Sequence, residues 1–94
     1  MQAHLLATPV VLSSDTVVRS VGEETVLLNL QTEQYYVLND VGSRVLHHLT
    51  SGATPAEAIE RLAEEYDVGR DRLQRDVERV IEDLLAAALV EFRP

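Results

Sequence analysis

The sequence predicts an α+β protein in which a three-stranded antiparallel sheet is followed by three helices. Three observations carry that prediction. Apolar residues alternate with a period of two as far as Asn39, and from Asp40 onward the period is about 3.6. The stretches between patterned segments are short and rich in Gly, Ser, Asn, Asp and Thr, as turns require.

The strands come first. Pro9-Val10-Val11-Leu12 reads as a short strand or an extended arm, and Ser13-Ser14-Asp15 is turn material. Thr16–Val21 (TVVRSV) is rich in β-branched residues and runs into a turn at Gly22-Glu23-Glu24. In Thr25–Leu30, Val26, Leu28 and Leu30 share one side, with Leu27 and Asn29 on the other. Gln31-Thr32-Glu33 then reverses the chain into Gln34–Asn39, which completes an antiparallel meander.

The helices follow. The first spans about Asp40–Thr50, with Val41, Val45, Leu46 and Leu49 on one face, Asn39 or Asp40 as N-cap and Ser51-Gly52 as its end. Thr54-Pro55-Ala56-Glu57 opens the second with a capping box and a proline at the first helical position. Ala58, Ile59, Leu62, Ala63 and Tyr66 line its buried face, up to Asp67-Val68-Gly69. The third and longest runs from about Asp71 to Ala88, and Leu73, Val77, Val80, Ile81, Leu84 and Ala88 form its apolar stripe. A tail, Leu89–Pro94, returns Leu89, Val90 and Phe92 to the core. This order is winged helix-turn-helix-like, a scaffold that often binds DNA and serves other ligands equally well.

Composition narrows the function. The chain has 94 residues, which fits one domain built on one apolar core. It has no cysteine, so disulfides, thiolate metal sites and cysteine nucleophiles are excluded. No basic segment leads into an apolar run, and no apolar stretch approaches about 20 residues, so a soluble, cytosolic protein is expected. Sixteen acidic residues against eight basic ones, all arginine, give a net charge of −8. That balance opposes a polyanionic partner and favours a basic one, or simply keeps a small protein in solution.

Catalytic and metal chemistry find no foothold. His47 and His48 are adjacent and diverge by about 100° on a helix, and His4 lies outside any predicted element. No HxxxH spacing exists, so no metal site and no cofactor are expected. Ser13 and Ser14 beside Asp15 lack a placed base, and the four scattered glycines make no phosphate-cradling loop. No Asp-Ser-Leu-like helix start suggests a carrier protein.

Two features point to binding instead. The strand Gln34–Asn39 is the last of the meander, so it lies at a sheet edge unless the N-terminal arm covers it. It carries no lysine or proline to blunt that edge, so the edge is either covered or used. Alternation places Tyr36 with Leu38 and Tyr35 with Val37; the first pair is expected inward, because Leu38 directly precedes a helix that must pack under the sheet. The second feature is a charged flank on the third helix, formed by Arg72, Asp76 and Asp83 with Arg79 beside them. A DNA-reading helix would present bases there without the carboxylates. Intrahelical pairs, Asp71 with Arg75 and Arg79 with Asp83, would also account for the pattern.

Four or five backbone bonds to an added strand contribute about 0.5–1.5 kcal/mol each, against an association cost of about 4–15 kcal/mol. Specific capture therefore needs apolar anchors between Gln34–Leu38 and the third helix, with charge at the rim.

The stretch LNLQTEQYYVLNDVGSRVLHHL, with Tyr35-Tyr36-x-Leu38-Asn39, Gly42, Thr54-Pro55, Asp76-Val77 and a terminal LLAAALV, resembles the PqqD-like family of precursor-peptide recognition elements. The likeness spans nearly the whole chain. It is closer to the free-standing proteins of lasso-peptide pathways than to the pyrroloquinoline-quinone member, whose segment before Leu-Asn differs. The resemblance implies a non-catalytic protein that takes the leader of a ribosomally made precursor as an added strand on Gln34–Leu38, against the third helix. It implies Tyr35, Val37, Val80 and Leu84 as pocket residues, and Asp76 and Asp83 as partners of basic leader residues. Its implied partners are a separate leader peptidase and a macrolactam synthetase. The alternatives are a quinone-pathway chaperone, a DNA-binding winged helix, and a homodimer that pairs the same edge with its own copy.

Overall fold

The computed structural model describes residues 1–93; the last residue of the predicted tail, Pro94, lies outside them. In chain order the elements are β1 (Val10–Leu12), β2 (Thr16–Val21), β3 (Glu24–Asn29), β4 (Tyr35–Leu38), α1 (Asp40–Thr50), α2 (Pro55–Glu65), α3 (Arg70–Ala86) and β5 (Val90–Phe92). A short 3-10 helix, Ala3–Ala7, precedes them and packs on α2, where the sequence suggested no element.

β2, β3 and β4 form the predicted meander, in that order and antiparallel throughout. Gly22 sits in the two-residue β2–β3 turn with φ +62°, backbone that costs glycine little. The segment read as strand or arm is a strand. β1 pairs with β5 as a separate two-stranded ribbon, Val10 opposite Phe92 and Leu12 opposite Val90. That pairing returns the tail to the core, burying Leu89 and Val90 fully and Phe92 in part.

The helix starts are where the side chains dictate. Asn39, not Asp40, caps α1 by accepting from the Gly42 N–H at 2.8 Å. Thr54 and Glu57 form the reciprocal capping box of α2. α3 begins one residue earlier than predicted and ends two earlier. The Leu89 N–H reaches the Leu84 carbonyl and the Ala88 N–H reaches that of Leu85, which closes the helix with Ala88 in left-handed backbone at φ +57°. Ala88 is therefore exposed, and it leaves the stripe assigned to it.

The core gathers Leu27 and Leu38 from the sheet, Val45, Leu46 and Leu49 from α1, Ala58, Ile59 and Leu62 from α2, and Leu73, Val77, Ile81 and Leu84 from α3. α1 and α2 are also tied by a polar triad. Arg44 donates through Nε and Nη2 to Glu65 at 3.1 Å, and His48 Nε2 lies 2.7 Å from Glu65 Oε2. No helix is long and apolar enough to cross a membrane among the described residues.

Candidate functional site

Among the described residues β4 is an edge strand with no neighbour beyond it, because the β1–β5 ribbon pairs elsewhere. Its hydrogen-bond parity follows from one bond: the Asn29 N–H donates to the Gln34 carbonyl at 2.8 Å. Bonded and non-bonded pairs alternate along an antiparallel ladder. In this register Leu27:Tyr36 and Thr25:Leu38 are then bonded pairs, while Val26:Val37 and Leu28:Tyr35 are not. The other side of β3 agrees, since the Leu30 N–H donates to Asp15, so even-numbered residues of β3 serve β2 and odd-numbered ones serve β4. The N–H and C=O groups of Tyr35 and Val37 therefore point out of the sheet. Tyr36 and Leu38 spend theirs on β3, while Gln34 gives its carbonyl to Asn29 and its N–H to Thr32 Oγ1 at 3.3 Å, so the predicted pairing segment offers its edge through two residues only.

Side chains divide the same way. Tyr36 and Leu38 turn inward, half-buried and buried, whereas Tyr35 and Val37 are 68% and 46% exposed on the outer face of the sheet. Because β4 is short and leads straight into α1, its inner face does not close on α3. A groove of about 300 Å³ remains, lined by Tyr36, Val37, Leu38 and Asn39 on one side and Arg79, Val80 and Asp83 on the other. Gly42 forms part of its floor, where a Cβ would meet Leu38 Cδ2 at 3.1 Å. A larger depression of about 490 Å³ lies between the β2–β3 hairpin and α1, but none of its lining belongs to the free edge.

One bond spans the groove. The Tyr36 hydroxyl donates to Asp83 Oδ2 at 2.8 Å. Ionising the phenol would lose this bond, so Tyr36 titrates above the usual tyrosine range; burial and the Asp83 charge push the same way, and Arg79 opposes them. Neither predicted intrahelical pair, Asp71–Arg75 or Arg79–Asp83, is among the ion pairs of the described residues.

Several predicted site residues fall elsewhere. Leu84 is fully buried in the core and does not line the groove. Tyr35 turns its ring to the outer face and does not reach the groove lining. Gln34 sits exposed before β4, its carbonyl already used. Arg72 and Asp76 are exposed nearer the start of α3, outside the lining. Asn39 and Gly42 belong to the lining and were not singled out as site residues. The available signal was a glycine on the core-facing side of α1, one turn from the strand end. No group of three metal-ligating side chains comes together among the described residues.

Two solved structures share this architecture. One is TbiB1 in complex with the TbiA(beta) leader peptide, 35% identical, covering 85% of this chain and 93% of that one, with a TM-score of 0.80. The other is a lasso peptide synthetase B1 complexed with the leader peptide, 26% identical, covering 87% of this chain and 96% of that one, with a TM-score of 0.80. No curated protein matches the chain. The sequence profile of the family described as coenzyme PQQ synthesis protein D matches residues 24–90, and the chain belongs to this PqqD family.

Proposed function

We propose that this protein binds the leader segment of a ribosomally made precursor peptide as a fourth strand on β4, beside α3, and performs no chemistry itself. The observation that carries the proposal is the unpaired β4 edge, with the backbone groups of Tyr35 and Val37 directed outward, next to a groove that ends at α3. The similarity to two leader-bound B1 proteins supports it.

Four outward backbone groups supply roughly 2–6 kcal/mol, at most comparable with the cost of association. Selectivity for a leader then comes from side chains entering the groove over Leu38 and Val80, and from basic residues near Asp83. Delivery of the captured leader to a separate peptidase and a macrolactam synthetase completes the role. DNA is a poor competitor. α3 carries Asp71, Asp76, Glu78, Glu82 and Asp83 against Arg70, Arg72, Arg75 and Arg79, a surface without the excess positive charge that phosphates select.

Fluorescence anisotropy tests the proposal, using labelled leader segments of precursors encoded beside this chain and the TbiA(beta) leader as reference. Saturable binding at micromolar concentration or tighter, about −8 kcal/mol, is expected. Failure of all these peptides to bind in that range would overturn it.

A further inference from the structure

Asn29 is the last residue of β3, 5% exposed, and it uses every polar group it has. Its Oδ1 accepts from the Gln31 and Thr32 N–H groups at 2.9 and 3.1 Å, shaping the turn that feeds β4. Its backbone N–H and C=O bond Gln34 and Glu33 at 2.8 Å each. The remaining group, Nδ2, donates at 2.8 Å to the carbonyl of Ala88, just past the end of α3.

We infer that Asn29 is a positioning residue that sets the width of the β4–α3 groove by tying the turn before β4 to the C-terminal end of α3. The inference rests on the leader-binding reading for its functional consequence. β4 is bonded to β3 along its whole length, so the two move as one body. The other groove wall, Val80 and Asp83, lies on the last turns of α3, and the end of that helix is tied to the sheet side by two side chains, the Asn29 amide and Thr16 Oγ1, which donates to the Leu89 carbonyl at 3.1 Å beside the Ser13 N–H at 3.0 Å. Releasing the tie lets the helix end tilt away, carrying Asp83 from Tyr36. Aspartate is a usual residue for holding such a turn through its side-chain oxygen. Only an amide does that and also donates to Ala88.

Asn29→Asp separates the two roles. It keeps both acceptor contacts in the turn and replaces the donor with an oxygen facing the Ala88 carbonyl, so the tie becomes repulsive. The experiment compares the intact wild-type chain and Asn29→Asp by circular dichroism, by affinity for the labelled TbiA(beta) leader, and by an NMR titration of the Tyr36 ring. The variant is expected to keep its helix and strand content, to bind at least tenfold more weakly, and to titrate Tyr36 closer to the ordinary tyrosine value. Unchanged affinity overturns the inference, and so does weaker binding with the Tyr36 titration unmoved, which would mark a local turn role. Should Asn29→Asp unfold, Thr16→Val removes the second side-chain tie alone and leaves the Ser13 N–H on the same carbonyl. It is expected to shift both readouts the same way, with about a threefold loss of affinity; no shift overturns the inference. If the wild type fails to bind the peptide, the leader reading is what suffers, and the Tyr36 titration still decides whether Asn29 sets the gap.

Discussion

Tyr36 on β4 and Asp83 on α3, 47 residues apart, are joined by a 2.8 Å hydrogen bond that bridges the groove between the free edge and the last helix. Tyr36→Phe deletes that bond and leaves the ring. A net loss of roughly 1 kcal/mol is expected, seen as a melting point lower by about 4–8 °C. The bond makes the folded state hold the phenolic proton more tightly than the unfolded chain does. Its stabilisation is therefore complete below the ordinary tyrosine pKa, about 10, and is lost as the pH climbs beyond it. Wild type and Tyr36→Phe should converge in stability above that range; a gap that persists unchanged at high pH would show that Asp83 is not the cause.

The backbone parity of β4 makes adjacent prolines behave oppositely. Val37→Pro removes an N–H that points away from the sheet, so the host ladder survives and the protein should melt within a few degrees of wild type. Leader binding should fall by tenfold or more, because a guest loses a partner and meets the proline ring at the edge. Tyr36→Pro removes an N–H that bonds β3, and it should unfold or strongly destabilise the chain. Normal leader binding by a folded Val37→Pro would place the ligand on another surface.

Charge at the groove should matter by position. Asp83 lines it, whereas Asp76 is exposed outside it. Asp83→Lys is expected to weaken leader binding by about tenfold at low salt and less at high salt, since screening shortens the reach of the reversed charge. Asp76→Lys should act in the same sense but more weakly. Isothermal titration at two ionic strengths separates them; equal effects, or effects indifferent to salt, would remove Asp83 from the recognition surface.

The Arg44–Glu65–His48 triad predicts an acid limit to stability. Hydrogen bonds from Arg44, and secondarily from His48, hold the Glu65 carboxyl below the usual glutamate range, against the opposing pull of burial. The folded state thus binds that proton less readily than the unfolded chain. The stabilisation is present above the ordinary glutamate pKa, about 4.3, and fades as the pH falls below it. Glu65→Gln should melt several degrees lower at neutral pH and merge with wild type near pH 3. A constant difference across that window would assign the loss to packing.

Much of this was readable from residues that lie within one helical turn of each other. The Thr54–Glu57 capping box, a cap at Asn39 or Asp40 for α1, and the change of period at Asp40 depend on contacts at most four residues apart, so the chain states them locally. The inward turn of Tyr36 and Leu38 was legible for the same reason, since alternation in a strand leaves two choices and the following helix selects one. Alternation was less informative in β3. There the more apolar side, Val26, Leu28 and Leu30, faces outward, and Leu27 enters the core beside buried Thr25 and Asn29.

What the linear pattern did not hold was set by partners far away in the chain. Leu84 falls on the apolar stripe of α3, but whether such a residue lines a groove or is buried in the core depends on how close the sheet comes, which periodicity does not contain. β1 pairs with β5 some 80 residues later, a choice made by mutual burial of Val10 and Val90. The reach of Asn29 to Ala88 and of Tyr36 to Asp83 belongs to the same class. By itself the sequence determined the three strands of the meander, the three helices, the capping box of α2 and an unblunted last strand, because these follow from short-range sterics and hydrogen bonding. The tertiary packing alone decided which backbone groups of that strand stay free and how far α3 stands from it, because only the assembled core sets the distance between two elements that share no local bonds.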